Sequence, residues 1–156
     1  MIVRIADQTL ELRDGDEVIA SYRVSTAAAG AGEVEGSYRT PRGNHVIREK
    51  IGADAPPGAV FRARCWNGEI CDEQAFAAEP SRDWILTRIL WLSGLEEGRN
   101  LGGKVDTYRR YIYIHGTPDE ASLGTPASHG CIRMSSADVC ELFDAVDEGT
   151  LVRIVE

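Results

Sequence analysis

"YRRYIYIHGTPDEASLGTPASHGCIRM", residues 108–134, holds two of the chain's three histidines and one of its four cysteines. Its first nine residues, 108–116, read as a buried strand ending at His115. A period of two puts Tyr111, Tyr113 and His115 on one face, and Ile112 and Ile114 on the other. A loop of small and polar residues follows, 117–127, and then Ser128-His129-Gly130-Cys131. If residues 129–131 are extended, His129 and Cys131 share a face with Cα atoms about 7 Å apart. Gly130 allows the backbone to approach closely there.

A cysteine in this setting has three readings. A structural zinc site needs four ligands, usually as two closely spaced pairs. His129 with Cys131, and Cys65 with Cys71, do not reproduce a finger or ribbon, although His115 could serve as a third ligand in a catalytic zinc site. A core cysteine is common, but burial alone does not explain the neighbouring glycine and the two histidines. A nucleophile explains them. The thiolate is the reactive form, and an imidazole nearby both lowers the thiol pKa and accepts its proton. The expectation is a cysteine nucleophile that needs no metal or cofactor.

Outward from this segment, strands dominate. The chain opens as a strand at its second residue. Leu10 and Leu12 alternate with polar neighbours, as do Val18, Ala20, Tyr22 and Val24, and Asp14-Gly15 is a hairpin turn between them. The stretch 27–37 is glycine-rich loop, Thr40-Pro41-Arg42-Gly43 turns the chain, and 44–49 is a further strand. Residues 60–65 also read as strand. The stretch 81–94, "SRDWILTRILWLSG", reads as a helix with Ser81 as its N-cap, Gly94 as its stop, and Trp84, Ile85, Ile89 and Leu92 in a packing stripe. A late helix over about 136–146 follows, with Ser136 as cap and Val139, Leu142, Phe143 and Val146 facing the core. Cys140 lies beside that stripe as a small core residue. "TLVRIV" closes the chain as a strand. The fold class is mainly β.

With 156 residues the chain is large enough for one domain with a substantial core. A net charge of −8 argues against nucleic acid, which needs a basic face. No apolar run approaches the roughly 20 residues that span a bilayer. The N-terminus lacks the basic leader and apolar run of a signal peptide, so the expected location is the cytoplasm, or the periplasm if a leader has been removed. In that compartment the four cysteines are expected as free thiols. His45, in "PRGNHVI", reads as a bystander.

The segment 115–134 resembles the signature of the L,D-transpeptidase catalytic domain family (YkuD-type): a histidine-glycine, a short loop, then Ser-His-Gly-Cys. "TPRG" at 40–43 resembles the family's upstream Thr-Pro-x-Gly turn, and the opening hairpin also fits. The likeness is weakest over 50–104. It implies a β-sandwich with the cysteine in a groove, a variable insert or cap at 50–104, and one catalytic domain over 1–156.

It also implies the chemistry. Peptidoglycan stem tetrapeptides or soluble muropeptides would be the partners. The bond between the third stem residue and D-alanine would be cleaved through an acyl-enzyme. For the chain as written, L,D-carboxypeptidase action in wall recycling is the leading expectation. L,D-transpeptidase crosslinking or D-amino-acid exchange, and a non-catalytic wall-binding domain, are the alternatives. Cys131 is then the nucleophile and His115 the general base, its ring oriented by the Gly116 carbonyl. His129 shapes the site. The N–H groups of Gly130 and Cys131 are candidate oxyanion donors. Ser128 bonds within the loop, Arg133 suits capture of a stem carboxylate, and Tyr113 can contact substrate.

Overall fold

The computed structural model describes residues 1–156. Its strands are β1 (Ile2–Arg4), β2 (Thr9–Asp14), β3 (Glu17–Arg23), β4 (Gly43–Ile51), β5 (Ala59–Arg62), β6 (Cys65–Ile70), β7 (Leu86–Gly94), β8 (Tyr113–Gly116), β9 (Ile132–Met134) and β10 (Leu151–Val155). Two α-helices accompany them, α1 (Glu73–Ala78) and α2 (Ser136–Ala145).

One hydrogen-bonded path runs β3-β2-β1-β10-β4-β7, continues through β8 to β9, and is antiparallel except at β1–β10 and β8–β9. Ser25, just beyond β3, bridges Arg133 in β9, so the two ends of the path meet. The sheet therefore curls around a core to which each strand of this path contributes, among them Val3, Leu10, Tyr22, Ile47, Leu90, Ile114, Ile132 and Ile154. The fold is mainly β, as expected, and the facing layers of the sandwich are halves of one curled sheet.

Helix α2 adds Val139, Leu142 and Phe143 to this core, spaced so that all three face the same way. Its cap is Ser135 rather than Ser136: the Ser135 hydroxyl accepts from the Asp138 N–H at 3.0 Å. Lys50 of β4 donates to the Phe143 and Val146 carbonyls at the other end, where a cation also suits the helix dipole. Cys140 is half-buried at the edge of the helix, and all four cysteines are free.

The stretch 81–94 is not a helix. Residues 86–94 form β7, the strand joining β4 to β8. Every residue in it except Arg88 is buried, because both faces are covered: Leu90 and Leu92 meet the large core, Ile89 and Trp91 a smaller cluster with Ala59, Phe61 and Tyr113. Burial on both sides removes the alternation that marks a half-exposed strand. The insert expected over 50–104 accordingly divides between β7, which belongs to the main sheet, and the β5–β6 hairpin with α1. The reading of 60–65 as one strand also changes, since the chain turns at Ala63 and Arg64, both at positive φ. β8 is shorter than expected at its start, because Tyr111 sits at φ +56° and breaks the extended run.

Candidate active site

The Ser-His-Gly-Cys segment is held from two sides. β9 lies parallel to β8, pairing Ile114 with Ile132 and His115 with Arg133. On the other side residues 25–28 bind it through Ala28 N–H to the Ser128 carbonyl and Ser128 N–H to the Thr26 carbonyl, both at 2.9 Å. By continuation of that register Cys131 lies opposite Tyr113. Cys131 and His115 therefore share a sheet face, about 7 Å apart along the strands and about 5 Å across.

Gly130 adopts φ +130°, a conformation closed to other residues without strain, and a Cβ there would stand 3.3 Å from Ile112 Cδ1 and 3.4 Å from the Arg39 carbonyl. Its carbonyl accepts from the Thr40 hydroxyl at 2.9 Å, and the same hydroxyl accepts from the Ala27 N–H. Thr40 is fully buried, so the Thr-Pro-x-Gly turn anchors the cysteine loop. Ser128 does bond within the loop: its hydroxyl donates to the Cys131 carbonyl at 2.5 Å and accepts from the Gly130 N–H at 3.2 Å. That last bond corrects one expectation. The Gly130 N–H is already engaged, whereas the Cys131 N–H makes no hydrogen bond within the protein and remains open to an oxyanion.

His115 is buried, and its Nδ1 lies 2.8 Å from the Gly116 carbonyl. A carbonyl only accepts, so Nδ1 carries the proton and Nε2 is left as a base. Burial, outweighing the Gly116 bond, pushes the imidazole down to about 4. The Cys131 sulfur makes two backbone contacts of 3.3 Å, accepting from the Tyr113 N–H and donating to the Tyr111 carbonyl. No hydrogen bond joins it to His115. Burial pushes the thiol up to about 12, against the downward pull of the Tyr113 N–H. Burial thus favours the neutral form of both groups, and no hydrogen bond from the imidazole offsets it at the thiol.

A cavity of about 370 Å³ opens at Cys131. Tyr38, Tyr111, Tyr113, Ile85 and Ile112 supply apolar wall, and Arg64, Asp83, Arg110 and His129 the charged and polar groups. His129 is well exposed, with Nδ1 3.9 Å from Asp83 Oδ1 and its ring edge-on to Tyr38. Arg133 does not line the cavity. It is buried, with Nη2 donating to Asp83 at 2.8 Å, so its guanidinium holds Asp83 rather than facing a substrate carboxylate. Arg110 is similarly occupied by the carbonyls of Gly32, Glu33 and Arg39. Arg64, at the hairpin tip, lies over the rings of Trp91 and Tyr111 and donates to the Tyr113 hydroxyl at 3.3 Å. Sequence reasoning gave no role to Arg64, Asp83 and Thr40. Only the Thr-Pro-x-Gly turn carried a signal, since the other two reach the site through tertiary contacts. No three His, Cys, Asp or Glu side chains come together as a metal-ligand set.

The model of the L,D-transpeptidase catalytic domain family (YkuD) matches residues 1–154. The chain is 44% identical over 61 residues to "Putative L,D-transpeptidase YkuD" of Bacillus subtilis (strain 168), 36% of this chain and 37% of that protein. It is 45% identical over 47 residues to "Putative L,D-transpeptidase YqjB" of the same strain, 30% of this chain and 27% of that protein. These alignments span about a third of the curated relatives' length. Among solved structures, an L,D-transpeptidase from Mycobacterium smegmatis superposes with a TM-score of 0.58 at 16% identity, over 99% of this chain and 57% of that one. An L,D-transpeptidase from Xylanimonas cellulosilytica DSM 15894 gives 0.57 at 18% identity, over 99% and 58%. At such identities the superpositions speak for the fold, and the family match over nearly the whole length decides the rest: the chain belongs to the L,D-transpeptidase catalytic domain family.

Proposed function

We propose that Cys131 is the nucleophile of an acyl transfer on peptidoglycan stem peptides, cleaving the bond between the third residue and D-alanine. One observation carries this reading. Cys131 opens onto a cavity on the same sheet face as His115, whose ring is fixed with Nε2 unprotonated.

In this account Sγ leaves the Tyr111 carbonyl as substrate enters and attacks the carbonyl carbon of the third residue. Its proton passes to Nε2 of His115, and the new oxyanion meets the Cys131 N–H. The tetrahedral intermediate collapses with loss of D-alanine, whose amine takes the proton from His115, leaving a thioester. Water or an acceptor amine then attacks the thioester, His115 takes the attacker's proton, and the thiol re-forms. His129 and Asp83 shape one wall, and Arg64 is the guanidinium available to a substrate carboxylate.

Hydrolysis and transpeptidation share this intermediate, so products decide between them. Incubation with a tetrapeptide muropeptide, with and without an added D-amino acid, followed by mass analysis, tests the proposal. A tripeptide alone indicates carboxypeptidase action, an exchanged or crosslinked peptide indicates transpeptidation, and an unchanged tetrapeptide refutes the reading.

A further inference from the structure

Thr87 has a backbone that its side chain disfavours. It is fully buried and β-branched, yet sits at φ +73° within β7. Such residues rarely enter the left-handed region, and strain of this kind persists only where surrounding structure enforces it. The enforcing structure is visible in the register. Leu86 pairs with Gly116 and Ile89 with His115, so Thr87 and Arg88 bulge out opposite a single peptide of β8. That peptide joins His115 to the glycine whose carbonyl holds its ring.

The bulge fills the space where a side chain on Gly116 would stand. A Cβ on Gly116 would stand 2.8 Å from the Leu86 carbonyl and 3.3 Å from Thr87 Cβ and Oγ1. The Thr87 hydroxyl also accepts from the Gly58 N–H at 3.0 Å and bonds the Ser136 hydroxyl at 2.7 Å. Gly58 opens the hairpin that roofs the cavity, and its carbonyl accepts from Cys71 N–H to close that hairpin's base. Ser136 begins α2. One buried hydroxyl therefore ties the base of the hairpin and a core helix to the bulge that lies opposite the His115–Gly116 peptide.

We propose that Thr87 is a positioning residue, its bulge fixing the Gly116 peptide and through it the His115 ring. The inference rests on His115 being the base, but its test reads the ring without substrate. Thr87→Gly accepts φ +73° freely and removes the hydroxyl together with the side-chain atoms that fill the space beside Gly116. Thr87→Ser keeps the hydroxyl.

With ¹⁵N-histidine-labelled protein, long-range ¹H–¹⁵N spectra at neutral pH report each ring's tautomer. The wild type and Thr87→Ser should show His115 as the Nδ1–H form alone, and Thr87→Gly a mixture of the two tautomers. In turnover, Thr87→Gly should lower kcat roughly 10-fold or more with KM little changed. A pure Nδ1–H signal retained in Thr87→Gly would overturn the proposal, as would a mixture in Thr87→Ser. Failure of every variant and the wild type to turn over a muropeptide would instead count against the proposed activity, leaving the ring spectra to decide on Thr87.

Discussion

At Cys131 two effects compete, and the larger one sets the resting state. A histidine on the same sheet face would favour the thiolate, but no hydrogen bond connects them, and burial pushes the thiol up and the His115 imidazole down. Alkylation of Cys131 by iodoacetamide should therefore keep rising with pH beyond 9. A plateau reached below pH 7 would mean a preformed thiolate–imidazolium pair. His115→Ala should lower the acylation rate by about 10²–10⁴-fold, the usual loss for a general base. It should leave that alkylation profile nearly unchanged, as measured at this residue by peptide mass spectrometry. Cys131, His115 and Gly116 were legible as candidates because they match the family's pattern of a histidine-glycine followed by Ser-His-Gly-Cys. The engaged Gly130 N–H and the Arg133–Asp83 pair were not, since each depends on where a neighbouring side chain turns.

At the scale of elements, the short strands bearing the site are aligned by hydrogen bonds that local sequence only partly announces. The attachment of the cysteine loop to residues 25–28 is reinforced by Thr40, whose hydroxyl bridges Gly130 and Ala27. Thr40→Val keeps the shape and leaves both backbone groups unpaired in a buried place. We expect a loss of about 1–3 kcal/mol in a denaturant titration, with a matching fall in activity. Stability within a few tenths of the wild type would show that Thr40 is not the anchor. The hairpins at the start, the late helix and the closing strand were readable because each has one solvent face and a turn or cap to bound it. β7 was not. Its Ile, Leu and Trp residues are buried on both sides, so the run carries no period, and its two-residue bulge, opposite Gly116, has no local sequence signal. The strand read over 108–116 begins late, at Tyr113, for a related reason: a positive φ at Tyr111 is imposed by its surroundings.

Across the whole molecule, two buried histidines make stability depend on pH. His45 is satisfied at both nitrogens, Nδ1 donating to the Gly43 carbonyl and Nε2 accepting from the Thr107 hydroxyl, and burial pushes it down to about 4, like His115. Unfolded histidines titrate near 6.5, so between about 6.5 and 4 the unfolded chain binds more protons than the folded one. Stability should be full above pH 6.5 and decline as the pH falls toward 4. His45→Gln should flatten part of that decline in denaturant midpoints measured across the range. A curve unchanged by acid down to pH 4 would show that these rings are not held neutral. The curled sheet sets both histidines in dry surroundings, but only His115 faces the side on which the cysteine opens to solvent.

The central claim is that this thiol carries the acyl group. Rapid quenching of the protein with a stem tetrapeptide, followed by peptide mass spectrometry, reads it directly. The account predicts an adduct on Cys131 equal to the donor minus D-alanine, with free D-alanine released, and neither in Cys131→Ala. D-alanine release persisting in Cys131→Ala, or an adduct on another residue, would contradict it.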